Sequence, residues 1–183
     1  MIFHDTDVQG AYLIELERHG DEGGFFARGF CSDEFQVRGV ATKFVQVNDS
    51  LSSTTATLRG MHYQVAPHAE TKMVRCIRGK LYDVALDLRV GSPTVGRSFG
   101  AELSEDNRRI MYVPKGCAHG FLTLEPDTEA LYFVDEFYVP AAERGVRWDD
   151  PAFAIHWPMT PRVVSKRDRS HPAFEKGQEV VLS

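Results

Sequence analysis

Short runs in which apolar and polar residues alternate recur along this chain, each broken after a few residues by Gly, Pro or an Asn/Asp cluster. That period of two constrains the fold more than any other feature, because it commits each segment to having two different faces. The clearest run is LYDVALDLRV at 81–90: Tyr82, Val84, Leu86 and Leu88 share one face, and Leu81, Asp83, Ala85 and Asp87 share the other. Comparable runs lie at 42–48, 57–65, 72–79, 109–114, 119–125 and 129–139. Gly79-Lys80 reads as a turn between two strands, and GSPTVG at 91–96 as a loop. Helical signals are sparse. SDEFQVR at 32–38 has room for one or two turns behind Ser32 as N-cap, and the proline-punctuated tail for one more short turn. Many short strands at near-regular spacing predict an all-β protein, an antiparallel jelly-roll barrel with short peripheral helices. Such a barrel can hold a ligand among its inward-facing side chains.

No repeat, low-complexity stretch or linker divides the 183 residues, so one domain over 1–183 is expected. A net charge of −5 argues against a general nucleic-acid binder, but leaves room for one small anionic ligand held by a few local cations. No apolar run is long enough to cross a bilayer, so no membrane partner is expected. Asp5 and Asp7 interrupt the stretch where a signal peptide needs its apolar core. Three widely spaced cysteines, Cys31, Cys76 and Cys117, do not make a disulfide framework, which favours a reduced, cytoplasmic setting.

The chemistry concentrates around LRGMHYQ at 58–64, where His62 follows Arg59-Gly60 inside a strand-like run. His62 has three readings: a metal ligand, a general base, or an ordinary hydrogen-bonded core imidazole. A first-row metal site wants several histidines and a carboxylate converging. Gln64 stands two positions on, and Lys72 brings an ammonium that repels a dication, so a metal is not expected. Arg59, Lys72 and His119, all near predicted strand ends, weaken the inert-core reading and suit an anion. Tyr132 and Tyr138, six apart in one run, fall on one face about 20 Å apart, given about 3.3 Å per residue. Tyrosines are common in strands, so this spacing alone says little. Asp168, in SKRDRSHP at 165–172, sits in what reads as a solvated charged turn. It matters only if the tail folds back to hydrogen-bond His62.

Taken together, FVQVNDS (44–50), LRGMHYQ, KMVRCIRGKLYDVALDLR (72–89), VPKGCAHGFLTLE (113–125), LYFVDEFYVPAAERGVRWDDP (131–151) and VVSKRD (163–168) resemble the dTDP-4-dehydrorhamnose 3,5-epimerase family of cupin-type nucleotide-sugar epimerases. The pieces occur in the family's order and cover most of residues 20–170. The resemblance implies a cupin-type jelly-roll homodimer, without metal or nicotinamide, so with no cofactor, acting on a nucleotide-linked 4-keto-6-deoxyhexose. It implies that His62 is the base, Asp168 the carboxylate that orients it, Lys72 the cation near the enolate oxygen, and Tyr132 the acid on the opposite face. It further implies substrate-binding roles for Arg59, Gln46, Asn48, His119, Glu143 and Arg167, with Tyr138 stacking on the base and some contacts coming from the second subunit. Phe26 belongs to the same set through DEGGFFAR (21–28), where the family usually reads Asp-x-Arg-Gly-x-Phe-x-Glu. Here Gly23 replaces the arginine and Arg28 the glutamate: either Arg28 joins the substrate-binding set by supplying the missing phosphate contact from a new position, or the base is not thymine, which leaves a GDP-, CDP- or UDP-linked sugar as the alternative to a dTDP-linked one. A non-catalytic sugar-nucleotide binding cupin is the competing class; a metal-dependent cupin and a cupin ketoisomerase rank below it.

Overall fold

The computed structural model describes residues 1–175 and 177–182. Its strands are β1 (Ile2–Asp5), β2 (Tyr12–Glu15), β3 (Arg18–Asp21), β4 (Gly24–Ala27), β5 (Gln46–Ser52), β6 (Thr57–Gln64) and β7 (Lys72–Arg78). They continue as β8 (Lys80–Asp87), β9 (Ser98–Ser104), β10 (Ile110–Val113), β11 (Cys117–Thr123), β12 (Thr128–Val134), β13 (Glu143–Gly145) and β14 (Val163–Val164). Two short helices join them, α1 (Ser32–Val37) and α2 (Lys166–Arg169). One sheet runs β1-β2-β10-β7-β12-β5; the other runs β13-β6-β11-β8-β9, with β14 alongside β6. β3 and β4 form a separate two-stranded hairpin. The named strands pair antiparallel except β14 with β6. The result is the expected all-β jelly roll, built as two facing sheets.

The alternation seen in the sequence maps onto two apolar layers. Leu81 and Ala85 of β8 meet Val74 and Cys76 of β7, Met111 and Val113 of β10 and Ala130 of β12, in the core between the sheets. The other face of the same run (Val84 and Leu86 of β8, then Leu88 just beyond it) packs with Met61, Ala118 and Val146 under the C-terminal segment, where Phe153 and Val180 cover it. The first sheet's outer face is closed by α1. A helix of six residues has no stability of its own, and Phe35 anchors it by full burial among Ile14, Met73, Ile110 and Tyr112.

Several boundaries differ from the sequence reading. Cys31 rather than Ser32 is the N-cap of α1, and it makes no side-chain cap bond. The strand expected at 42–48 begins at Gln46 and runs on to Ser52. The run at 129–139 ends at Val134, because beyond it backbone groups turn to side chains instead of a neighbouring strand: the N–H groups of Tyr138 and Val139 donate to Gln46 Oε1 and Gln64 Oε1. The Gly79 turn is as expected; its φ of +68° is the left-handed region that glycine enters freely.

Candidate active site

The site is set by a defect in the sheet. On β11 only Gly120 separates His119 from Phe121, whereas their partners on β6, His62 and Arg59, are separated by two residues, Gly60 and Met61. One extra residue inverts the alternation on the bulged strand. Arg59 and His62, three apart, thereby both border the interior cavity, while Leu58 and Met61 join the outer apolar layers. The two glycines make the bulge possible. Gly60 has φ +125°, and a Cβ there would lie 2.8 Å from the His119 carbonyl; one on Gly120 would lie 2.6 Å from Met61 Sδ.

The tail does fold back. Val163 and Val164 pair with Thr57 and Leu58, placing α2 at the end of β6 that carries the bulge. Ser165 caps α2 by accepting the Asp168 N–H at 3.0 Å, which fixes the carboxylate's direction. Asp168 Oδ1 lies 2.7 Å from His62 Nε2, and Oδ2 accepts the Gly60 N–H at 3.3 Å. Asp168 is almost wholly buried. Burial pushes its carboxyl upward, but the hydrogen bond and charge of His62, with those of Gly60 and Ser165, outweigh it and hold the carboxyl below its usual value. An ionised carboxylate only accepts, so His62 carries its proton on Nε2 and its lone pair on Nδ1.

Lys72 and Tyr132 come from the facing sheet. Lys72 on β7 and Tyr132 on β12 border two adjoining cavities of about 300 and 270 Å³, both of which also touch His62. His62 and Tyr132 thus stand on opposite walls. The Tyr132 hydroxyl is raised above its ordinary pKa, chiefly by burial and further by Glu70, against a smaller opposing effect of Arg59. It stays protonated at neutral pH. Lys72 Nζ lies 5.9 Å from the Tyr132 ring centre and 2.8 Å from Glu70 Oε1.

The predicted binding residues gather unevenly. Arg59 and His119 line the first cavity; Gln46, Asn48, Tyr138 and Glu143 line the second; Arg167 borders the first and ion-pairs Glu143 across to the second. The Tyr138 hydroxyl donates to Glu143 at 2.5 Å. Tyr132 and Tyr138 line the same cavity, so the 20 Å separation expected along one unbroken strand does not apply. Phe26 and Arg28 are not brought in: they lie by the β3–β4 hairpin, lining a different cavity with Met1, Glu17 and Glu34, and Arg28 pairs with Glu34 at 3.7 Å.

Sequence reasoning passed over several residues. Asp83, fully buried, holds His119 Nε2 at 2.8 Å. Its signal was available: an aspartate on the inward face of LYDVALDLRV needs a partner. Glu70, Ser165 and Ser50 also belong to the site. Gln64, taken only as an argument against metal, is a buried strut; its amide donates to Phe137 O and His68 O, each at 3.1 Å.

Comparison with known proteins gives one consistent picture. Residues 5–176 match the family model described as dTDP-4-dehydrorhamnose 3,5-epimerase. A dTDP-4-dehydrorhamnose 3,5-epimerase of Sinorhizobium fredii is 44% identical over 175 residues, covering 95% of this chain and 90% of that protein. The crystal structure of the Bacillus anthracis enzyme of that name, with TDP and PPi bound, superposes with TM-score 0.90 at 42% identity, covering 94% and 99% of the two chains. A 3′-monoepimerase from Streptomyces bikiniensis in complex with dTDP-quinovose gives 0.85 at 32% identity, covering 93% and 86%.

Proposed function

The chain belongs to the dTDP-4-dehydrorhamnose 3,5-epimerase family, and from that premise we propose how its residues carry out epimerisation of a dTDP-linked 4-keto-6-deoxyhexose at C3 and C5. The C4 ketone acidifies the C–H bonds on either side, because loss of either proton gives an enolate. His62 Nδ1 takes the proton, and the Asp168 carboxylate stabilises the imidazolium that forms. The Lys72 ammonium faces the charge that develops on the C4 oxygen. Tyr132 returns a proton from the opposite wall, which inverts the centre; donation from the same wall would only exchange it. The cycle closes when solvent removes the proton from His62 and restores that of Tyr132.

The observation that carries this reading is the pairing of the 2.7 Å His62–Asp168 dyad with a protonated Tyr132 across one cavity. A binding module has no need of either. Arg59 and Arg167 are suited to the diphosphate and Tyr138 to the thymine ring. TDP and dTDP-quinovose bound to structural neighbours support the thymidine nucleotide over the GDP-, CDP- and UDP-linked alternatives. The site is read as completed by a second copy of this single domain. The hairpin supports this, since it holds Phe26, 68% exposed, away from its own cavity where a neighbour can receive it.

The test is incubation with dTDP-4-keto-6-deoxyglucose in D₂O, following C3 and C5 by NMR. Deuterium should enter and both centres invert, and His62→Ala should abolish exchange at both carbons while dTDP still binds. No exchange at either carbon, with this or any other nucleotide-linked analogue, would refute the reading. Exchange at C3 alone would place the chain with the monoepimerase.

A further inference from the structure

The proposed reaction uses His62 and Asp168 but leaves unexplained a third group beside them. His171 follows Asp168 by three residues, and its ring centre lies 6.1 Å from that of His62 with the planes nearly perpendicular. The ring packs on Gly145, the cross-strand partner of His62, closely enough that any Cβ there would collide with it. Its Nε2 is buried and has no hydrogen-bond partner among the described residues. One ring nitrogen from each histidine and one Asp168 oxygen lie within 4.8 Å of one another.

Two imidazoles and one carboxylate on a cavity edge form a donor set for borderline divalent ions such as Zn²⁺ or Co²⁺; Mg²⁺ and Ca²⁺ prefer all-oxygen surroundings. A tetrahedral ion with bonds near 2.1 Å holds its ligands about 3.4 Å apart. The dyad must therefore open slightly and His171 swing inward, a side-chain adjustment in a residue that is only partly buried. Of the cations near this set, Arg167, one of the two arginines flanking Asp168, ion-pairs Glu143, and the Lys72 ammonium ion-pairs Glu70 at 2.8 Å, which offsets their repulsion of a dication.

We propose that His62, Asp168 and His171 form a site for a zinc-class divalent cation, and that the bound ion arrests the enzyme. The arrest rests on the reading of His62 as base; the ion site does not. A neutral imidazole has a single lone pair on nitrogen. With Nε2–H donating to Asp168, that lone pair is on Nδ1 and available for abstraction. An ion on Nε2 takes a lone pair there and shifts the proton to Nδ1, so no net proton is lost and no base remains. Arg59, Lys72 and Tyr138 are untouched. Inhibition should therefore appear in kcat with KM little changed.

The experiment titrates the metal-free protein with Co²⁺, read by visible absorption, and runs the D₂O exchange assay beside it. One equivalent should produce a saturable d–d band that Zn²⁺ abolishes, and exchange should fall in proportion to occupancy and return with a chelator. Loss of an outer-shell partner alone weakens metal sites by about 10–100-fold, so His171→Ala should weaken Co²⁺ by more than tenfold and relieve the inhibition to match. Exchange in each protein is compared with its own metal-free rate, which reports an intact dyad. Absence of a saturable band, or equal affinity in His171→Ala, overturns the site. A band that survives in His171→Ala but vanishes in His119→Ala also overturns it, placing the ion on the Asp83–His119 pair. A band with undiminished exchange overturns the arrest. No exchange in any metal-free protein defeats the epimerase reading, while the titration still decides the ion site.

Discussion

Asp168→Asn probes the site at its most informative atom pair. The change keeps the size of the side chain and both hydrogen-bonding positions, but replaces an acceptor-only carboxylate with an amide. Two effects follow at the 2.7 Å contact with His62 Nε2. A hydrogen bond to a charged group, worth about 1.5–3 kcal/mol, no longer favours the imidazolium, which alone slows abstraction by about 10–150-fold. The amide also turns its NH₂ toward Nε2 when its oxygen keeps the Gly60 N–H, and that stabilises the tautomer with the proton on Nδ1. In the serine-protease triad the corresponding change costs about 10⁴ in kcat. Together these place the expected loss between about 10² and 10⁴. The assay is deuterium wash-in at C3 and C5 under saturating dTDP-4-keto-6-deoxyglucose, with dTDP affinity measured separately and expected to change less than about threefold, because no base or phosphate contact is altered. Asp168→Ala is the internal control. It removes the carboxylate without imposing the wrong tautomer, so it should be no slower than the asparagine variant. Wash-in within about threefold of wild type for Asp168→Asn, or an alanine variant clearly slower than the asparagine one, would refute the tautomer argument.

Three further outcomes are expected. Tyr132→Phe should lower inversion by about 10²-fold or more while deuterium wash-in falls much less, since abstraction by His62 precedes donation from the far wall; equal losses in the two NMR readouts would remove Tyr132 from that role. Gly120→Ala should destabilise the protein by about 2 kcal/mol or more in urea unfolding, because its Cβ would press on Met61 Sδ and the Arg59 carbonyl in the bulge, at 2.6 and 2.9 Å. Asp87 is fully buried, and although burial pushes its carboxyl up, bonds from Arg89, Ser92 and Thr94 hold it down to about 2, against 3.8 when free. Its folded value is depressed, so the stabilisation of about 2 kcal/mol is complete above pH 3.8 and lost as pH falls through 2. Asp87→Asn should lose about that much at pH 7 and flatten the acid limb of the stability profile, measured by denaturation between pH 2 and 7.

What the sequence determined by itself is whatever depends on neighbours a few residues apart. The alternation in LYDVALDLRV placed Leu81 and Ala85 in one apolar layer and Val84 and Leu86 in another, because cross-strand burial follows the period of the pleat. Gly79 marked its turn for an equally local reason. The ordered family motifs carried His62, Lys72, Tyr132 and Asp168 to attention, but no local rule gave their relation. Only the tertiary structure decided that. The His62–Asp168 contact spans 106 residues and exists because β14 pairs in parallel with β6, a long-range choice with no periodic signature. The bulge at Gly60 overrides the period-two rule, setting Arg59 and His62 into one cavity when strict alternation would part them. The inward face of LYDVALDLRV showed that Asp83 needs a partner but not that the partner is His119, and Glu70 beside Lys72 and His171 beside the dyad left no such mark, since a polar side chain reveals its partner only when folding buries the two together.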